Sequence, residues 1–425
     1  VTIDAVAFGG DGIARLDGKV IFVPDTVPEE QVRITLIENK GRFARGKVLK
    51  RLRLAPYLQQ SPCPYSKRCG GCQWLEVPYT HQLAWKQSFI VAAMQRIARW
   101  EVPVDFQVLA SPEQKAYRNR IKVRLRSHED GRLELGYYAK GSHELVAIES
   151  CWIAASPINE ALRRLAQLRL QPQLRTSTYE LELQHLAGDR VTAILLSPLA
   201  AEFRRSMIDA AAGDPWLREH ILWPDTTDAP HLLEEDHGLA YRTFAGQFQQ
   251  VNLAANRQLR TWVREKVLAA GARRILDVFC GSGNFSLQLA KEGREVWGIE
   301  VADVAITCAQ ENVRSNQLQN AHYAQGFAHQ ILDRFPELSQ GVDCIIVDPP
   351  RKGMAEALAP LLQIPAPLLI YISCDPNTLA RDLKELMAAG YQVEEGMGVD
   401  FFPHSYHVET VLLLKLGVCA KESLS

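Results

Sequence analysis

Arg274-Ile275-Leu276-Asp277-Val278-Phe279-Cys280-Gly281-Ser282-Gly283-Asn284-Phe285-Ser286 reads as a buried strand, a glycine turn and the start of a helix. A lone Gly-x-Gly is a weak signal. Here a second strand follows, Glu295-Val296-Trp297-Gly298-Ile299, and it ends in Glu300. An acidic side chain at that point can bind the two ribose hydroxyls of a nucleoside cofactor. No third glycine stands where a pyrophosphate fingerprint expects one, which disfavours NAD and favours a nucleoside without a diphosphate. A further strand, Val342 to Val347, ends in Asp348-Pro349-Pro350-Arg351-Lys352-Gly353, and the apolar run Leu368 to Ile372 ends in Ser373-Cys374-Asp375-Pro376. The glycine turn, Glu300, Asp348 and Cys374 are therefore expected on one carboxyl rim of a parallel α/β sheet, the edge where such sheets bind ligands.

The helix after Cys374 can start at Asp375 or Asn377, both good cap residues, with Leu379, Leu383 and Leu386 as its apolar stripe. A helix N-terminus lowers the pKa of a nearby thiol, and the thiolate is the nucleophile. The plainer alternative is a buried structural cysteine.

The chain has 425 residues, enough for two or three domains, and 47% apolar with 23% charged residues is a soluble globular composition. No apolar run has the length of a membrane span, and the first residues lack a basic-then-apolar signal pattern. The chain begins at Val1, so a few leading residues are expected to be missing. Nine cysteines, an odd and scattered set, argue for a reducing cytoplasm over a disulfide framework. Net charge is −1, so a nucleic-acid partner has to be held by local patches.

Residues 1–53 contain short alternating strands around Val20–Val23, Gln31–Leu36 and Ala44–Leu49, separated by turns such as Gly9-Gly10-Asp11-Gly12. That pattern suggests a small β-barrel of the oligonucleotide-binding type. Lys40, Arg42, Arg45, Lys47, Lys50, Arg51 and Arg53 follow one another with no acidic residue between them, a candidate phosphate-contacting patch or a solvated basic edge.

Residues 54–240 are read as a central mixed domain. Cys63, Cys69 and Cys72 fall within ten residues around a Gly-Gly pair, and Cys151 is the other cysteine before the C-terminal domain. Four thiolates suit zinc and an iron–sulfur cluster equally well, and spacing does not choose between them. Further on, Arg118, Arg120, Lys122, Arg124 and Arg126 share one strand face, with Ile121, Val123 and Leu125 on the other. RNA phosphates are one partner for this ridge. Cross-strand pairing with the acidic strand Tyr179-Glu180-Leu181-Glu182-Leu183 is the other.

Taken together, these motifs resemble the S-adenosylmethionine-dependent RNA uracil-5-methyltransferases, over nearly the whole chain. Residues 1–53 resemble a TRAM barrel, and Cys63, Cys69, Cys72 and Cys151 match the family's cluster pattern. Phe248-Gln249-Gln250-Val251-Asn252, Phe279 to Asn284, Asp348 to Gly353, Ser373 to Pro376 and His407-Val408-Glu409 match its methyltransferase signatures. The resemblance implies a Rossmann-like methyltransferase domain over 241–416, a 4Fe-4S cluster on the four cysteines, and S-adenosylmethionine contacts from Gln250, Phe279, Asn284, Glu300 and Asp348. TRAM barrel plus cluster is most similar to members acting on uracil 1939 of 23S ribosomal RNA, where Gly326-Phe327-Ala328 departs from the family pattern after the third strand. A monomer with no membrane partner is expected.

The chemistry gives the residues their roles. C5 of uracil is a poor nucleophile, so a thiolate must first add to C6 and turn the ring into an enolate. Cys374 is the candidate nucleophile, and Glu409 the base that removes the C5 proton after methyl transfer, with His404 and His407 as alternatives. A paired uracil is unreachable, so the target is single-stranded or flipped out. The rival readings are the same chemistry on another 23S uridine or on the T-loop uridine of transfer RNA, and a non-catalytic RNA-binding assembly factor.

Overall fold

A computed structural model of the chain describes residues 1–171, 176–196, 201–224 and 229–417. Seven strands carry the C-terminal part: β1 Arg274–Val278, β2 Glu295–Glu300, β3 Ala321–Gln325, β4 Cys344–Val347, β5 Leu368–Ser373, β6 Tyr391–Val399 and β7 Glu409–Leu416. Their order is β3-β2-β1-β4-β5-β7-β6, and Val108–Leu109 adds an eighth strand beside β6. From β3 to β5 every pairing is parallel, while β7 runs antiparallel between β5 and β6. Strand order reverses between β1 and β4, which opens a crevice at their carboxyl ends.

Alternation along the central strands feeds two apolar layers. Leu276, Val278, Ile345, Val347, Leu369 and Tyr371 face one, and Ile275, Cys344, Ile346, Ile370 and Ile372 face the other. Burial on both faces explains why these strands read as continuous apolar runs. Asp277 is the exception inside β1, a carboxyl only 1% exposed.

The helix Tyr79–Ala93 joins the first layer through Ile90 and Ala93, together with Met94 and Phe106. On this helix Lys86 is fully buried and stands 2.6 Å from Asp400, which precedes β7 by one loop. Lys86 also donates to the Phe402 carbonyl at 3.0 Å, and the Tyr79 hydroxyl donates to the second Asp400 oxygen at 2.9 Å. Breaking a buried pair by removing one partner strands the other charge in the interior. Lys86→Met is therefore expected to lower unfolding stability by about 3–5 kcal/mol. Urea melts that superimpose on wild type would show that the pair does not hold this loop.

In the N-terminal part, five strands run in the order Ala5–Val6, Gly12–Leu16, Lys19–Val23, Phe43–Arg53, Gln31–Asn39. Thr2 bridges Gln31, and Val32 N donates to Val1 O at 3.0 Å, so the two sheet edges meet and the sheet closes into a barrel. Ile3, Ala14, Ile21, Val23, Val32 and Ala44 fill it. The basic run is exposed along Phe43–Arg53, but part of it is paired: Arg45 with Asp11 and Glu38, Lys40 with Glu38, and Arg51 with Glu30. Arg42, Lys47, Lys50 and Arg53 have no ion-pair partner among the described residues, and they keep the phosphate-binding option open.

The central part carries a six-stranded sheet ordered Ile221–Leu222, Val191–Leu195, Ser177–His185, Arg120–Ser127, Leu133–Tyr138, Leu145–Ala147. Here the cationic ridge is largely neutralised. Register sets Arg124 opposite Glu180 and Lys122 opposite Glu182, with ion pairs at 2.9 and 3.4 Å, and Arg126 reaches Glu134 at 3.9 Å. Lys122 and Arg124 thus find carboxylates on the acidic strand and Arg126 finds one on the strand Leu133–Tyr138. Among the described residues no helix is long and apolar enough to cross a membrane.

Candidate active site

The turn after β1 is tight and strained. Phe279 has φ of 64°, a conformation that a bulky side chain rarely adopts outside functional sites. Its N–H and that of Cys280 donate to Ile299 O at 3.0 and 3.2 Å, which folds the turn back onto β2. Gly283, at φ of 87°, has no room for a side chain: a Cβ there would stand 2.8 Å from Leu287 and from the Tyr323 hydroxyl. Glu300, at the end of β2, accepts from Ala302 N at 2.9 Å and Gly281 N at 3.4 Å, so its carboxylate is aimed beside the turn.

Two further segments close on this rim. The Asn284 amide pairs reciprocally with Asn256, at 2.8 and 3.0 Å, and ties the turn to the helix Leu253–Ala269. Asn252 caps that helix by accepting from Ala255 N at 3.1 Å. Gln250 lies just before, half-buried, in a segment held from both sides. Arg120 donates to the carbonyls of Gln247 and Gln249 at 2.6 and 3.1 Å, and the Gln249 amide donates to Ser282 Oγ at 3.0 Å.

Cys374 leaves the carboxyl end of β5. The following helix, Pro376–Ala388, starts where expected, with Asp375 as its cap accepting from Asn377 N at 2.9 Å and Thr378 N at 3.2 Å. Because β7 is antiparallel to β5, the ladder ends with Ser373 paired to Thr410, and the residues next to that pair, Cys374 and Glu409, lie close enough for the Glu409 charge to act on the thiol. Residues far apart in sequence thus meet at the end of one ladder. Asp348 belongs to the same group, since its charge acts on both Cys374 and Glu409.

Electrostatics at this rim are those of a crowded set of acids. Burial, reinforced by Asp348, pushes Glu409 up to about 8. Burial together with Glu300 pushes Asp348 to about 7, and Asp277, fully buried, also reaches about 7. The expectation of a lowered Cys374 pKa fails. Burial first, then Glu409 and Asp348, push the thiol up to about 12, and these outweigh the helix terminus. Arg351 opposes the shift at both Cys374 and Glu409. The same guanidinium lies 3.4 Å from His407 Nδ1, and burial plus Arg351 lowers His407 to about 4. His404 is occupied otherwise, with ring nitrogens at Gln82 and the Gln114 carbonyl.

These shifts set the sign of a pH effect. Unfolded Glu409 loses its proton near 4.5 and folded Glu409 near 8, so between them the unfolded chain binds fewer protons and stability falls as pH rises. Glu409→Gln removes that loss. Variant and wild type should be equally stable at low pH, with a gap favouring the variant that widens up to about pH 8 and then stays constant, at most ~1.4 kcal/mol per pH unit. A gap independent of pH in thermal melts would contradict a buried, proton-holding Glu409.

The four cysteines of the central part also come together. Cys63, Cys69, Cys72 and Cys151 line one cavity of about 60 Å³, room for roughly four to six waters and more than one ion needs. Gly71 N donates to Cys69 Sγ at 3.4 Å, and Cys151 is fixed by Asn159, which accepts from its N–H at 2.7 Å. Burial and the neighbouring thiols push Cys72 up to about 12. Among the described residues no three such side chains are close enough to grip a single metal ion. As thiolates, these four side chains are donors that both zinc and an iron–sulfur cluster take.

Comparisons with known proteins agree with this geometry. A profile described as tRNA (Uracil-5-)-methyltransferase matches residues 226–416, and a TRAM domain profile matches residues 1–49. An RNA methyltransferase of Thermosynechococcus vestitus, tlr0942, is 36% identical, covering 97% of this chain and 96% of its own length. The 23S rRNA (uracil(1939)-C(5))-methyltransferase RlmD of Pseudomonas putida is 31% identical over 98% of this chain and 93% of its own. The chain belongs to the RNA uracil-5-methyltransferase family. It is an S-adenosylmethionine-dependent RNA uracil-5-methyltransferase. The fold of the family is seen in the Pyrococcus abyssi tRNA (uracil-54, C5)-methyltransferase, with a TM-score of 0.71, 24% identity, and 97% of this chain and 98% of that one covered.

Several residues of this family member's site escaped sequence reasoning. Asp277 carried a signal, a single acid inside an apolar strand. Arg351 and Arg120 were visible, in the Asp348–Gly353 run and in the cationic ridge, but not what they do here, because which carboxylate or carbonyl an arginine meets depends on packing.

Proposed function

We propose that this enzyme methylates C5 of one uridine of 23S ribosomal RNA, at the position 1939 that a relative's name carries, through a covalent bond from Cys374 to C6. The observation that supports the mechanism most is the antiparallel β5–β7 register, which brings a thiol close to a buried carboxyl beside Asp348. Glu300 is assigned to the ribose hydroxyls, and Asp348, Gln250 and the strained Phe279 turn to the rest of S-adenosylmethionine. Asn284, engaged with Asn256, is assigned to holding that turn. The bound cofactor supplies an electrophilic methyl group.

The chain's own residues do the rest. The Cys374 thiol loses its proton to solvent as its sulfur bonds to C6, and the C5–C6 π pair moves to leave C5 electron-rich. Arg351 favours the charged forms of both thiol and Glu409. Once C5 carries the methyl group, Glu409 removes its proton and Cys374 departs. A 4Fe-4S cluster on Cys63, Cys69, Cys72 and Cys151 is given a structural role, holding the central part in place, since uracil methylation needs no electron.

Sequencing of 5-methyluridine in ribosomal and transfer RNA from a deletion strain tests the target. Loss at position 1939 alone is expected, and loss only in the transfer RNA T-loop would reject it. Cys69→Ser is expected to lose the brown absorbance and the iron of the anaerobically purified protein. Stoichiometric zinc in a colourless wild type would overturn the cluster.

A further inference from the structure

Between the cysteine cavity and the loop 400–407 stands one charged side chain, Arg118. It lines the cavity together with Cys63, Cys69, Cys72 and Cys151. On its other side the guanidinium lies over the Phe402 ring, 5.6 Å from the centroid. Its Nε is closed to solvent and has no hydrogen-bond partner, and among the described residues no carboxylate pairs with it. In this it differs from the rest of the ridge, where Lys122, Arg124 and Arg126 have acidic partners and Arg120 has two carbonyls.

The backbone of Arg118 is a junction as well. Its N–H donates to Ile153 O at 2.8 Å and its carbonyl accepts from Ala155 N at 2.9 Å, just beyond Cys151. An isolated bridge joins it to Asn252, next to the Gln250 segment. Immediately after Cys72, the N–H groups of Gln73 and Trp74 both donate to His404 O, at 3.0 and 3.1 Å. The cysteine segments therefore touch the loop that leads into Glu409 at two places, by backbone at His404 and by Arg118 at Phe402.

Arg118 is half-buried, and a cation with a solvent-closed donor left unpaired and no carboxylate beside it is unfavourable. Protonated thiols do not provide a counter-ion, whereas four thiolates around an iron–sulfur cube carry net negative charge. We infer that Arg118 is the internal counter-cation of the cluster, and that through Phe402 it makes cluster binding hold the loop 400–407, and so Glu409, in place. The inference rests on the cluster reading above. Arginine suits the task because its flat cation can face a charge and stack on a ring at once.

Wild type, Arg118→Met, Arg118→Lys and Phe402→Leu, purified as full chains under anaerobic conditions, are compared for iron and sulfide content, cluster reduction potential, and kcat and KM on RNA. Loss of a nearby cation makes reduction harder. Arg118→Met is expected to shift the reduction equilibrium at least tenfold, a fall of 59 mV or more for one electron, and to lower kcat with KM for S-adenosylmethionine unchanged. Arg118→Lys should keep the wild-type potential yet lose part of kcat, and Phe402→Leu should keep both iron and potential while kcat falls. A fully iron-loaded Arg118→Met with wild-type potential overturns the counter-cation, and a Phe402→Leu enzyme with wild-type kcat overturns the link. Wild type without iron instead removes the cluster reading itself. If Arg118→Met does not hold iron, hydrogen exchange of wild type decides. Removing iron with a chelator should raise exchange across residues 400–407, and unchanged exchange there overturns the proposal.

Discussion

Cys374→Ala is expected to lower methyl transfer to RNA by about 10⁴-fold or more, while S-adenosylmethionine binds as in wild type. The size follows from the role proposed for the sulfur. Without addition at C6, C5 does not carry enough electron density to attack a methyl sulfonium, and no neighbouring group replaces the bond. Binding survives because the residues assigned to the cofactor lie on the glycine turn, Glu300 and Asp348, and none of these is anchored through the thiol. Removal of the sulfur leaves β5 and its ladder to β7 intact, since that ladder is made by the backbone from Leu368 to Ser373. A variant retaining a tenth of wild-type turnover would place the nucleophile elsewhere. Cys280, buried in the turn after β1, and Cys344, buried in β4, are no substitutes.

Glu409→Gln is expected to stop the reaction one step later. An amide of the same shape cannot take the C5 proton, so methyl transfer proceeds once and the enzyme stays bonded to its product. Steady-state turnover should fall by about 10²–10⁴-fold, the usual contribution of a positioned base. A single-turnover assay should still show one methyl group per active site, and a denaturing gel should show protein joined to RNA. Full turnover in this variant would assign proton removal to another group. A variant that neither turns over nor forms the joined species would make Glu409 necessary before methyl transfer.

Much of this site was legible before any coordinates. The four strand ends of the C-terminal sheet were visible because both-face burial writes itself as apolar runs, and the Asp-Pro-Pro and Cys-Asp-Pro turns mark where those runs stop. The direction of β7 was not legible. A strand of buried residues reads alike in either direction, and only the ladder shows that Glu409 is carried back beside Cys374. The pKa of that thiol was misjudged for a related reason. The helix terminus is a local feature, whereas the acids that dominate, Glu409 and Asp348, arrive from other strands. For the cationic ridge, alternation revealed five cations on one face and offered the acidic strand 179–183, which does pair with Lys122 and Arg124, whereas the Glu134 partner of Arg126 depends on a register the sequence does not carry.

The bond between sulfur and pyrimidine is the centre of the account. RNA carrying 5-fluorouridine at the target, incubated with wild-type enzyme and S-adenosylmethionine, has no C5 proton to release and traps the joined species. Peptide mass spectrometry after digestion should find the nucleotide on the peptide containing Cys374 and on no other. The same mass on a peptide containing Cys280 or Cys344, or no joined peptide while methyl transfer to ordinary uridine proceeds, would contradict it.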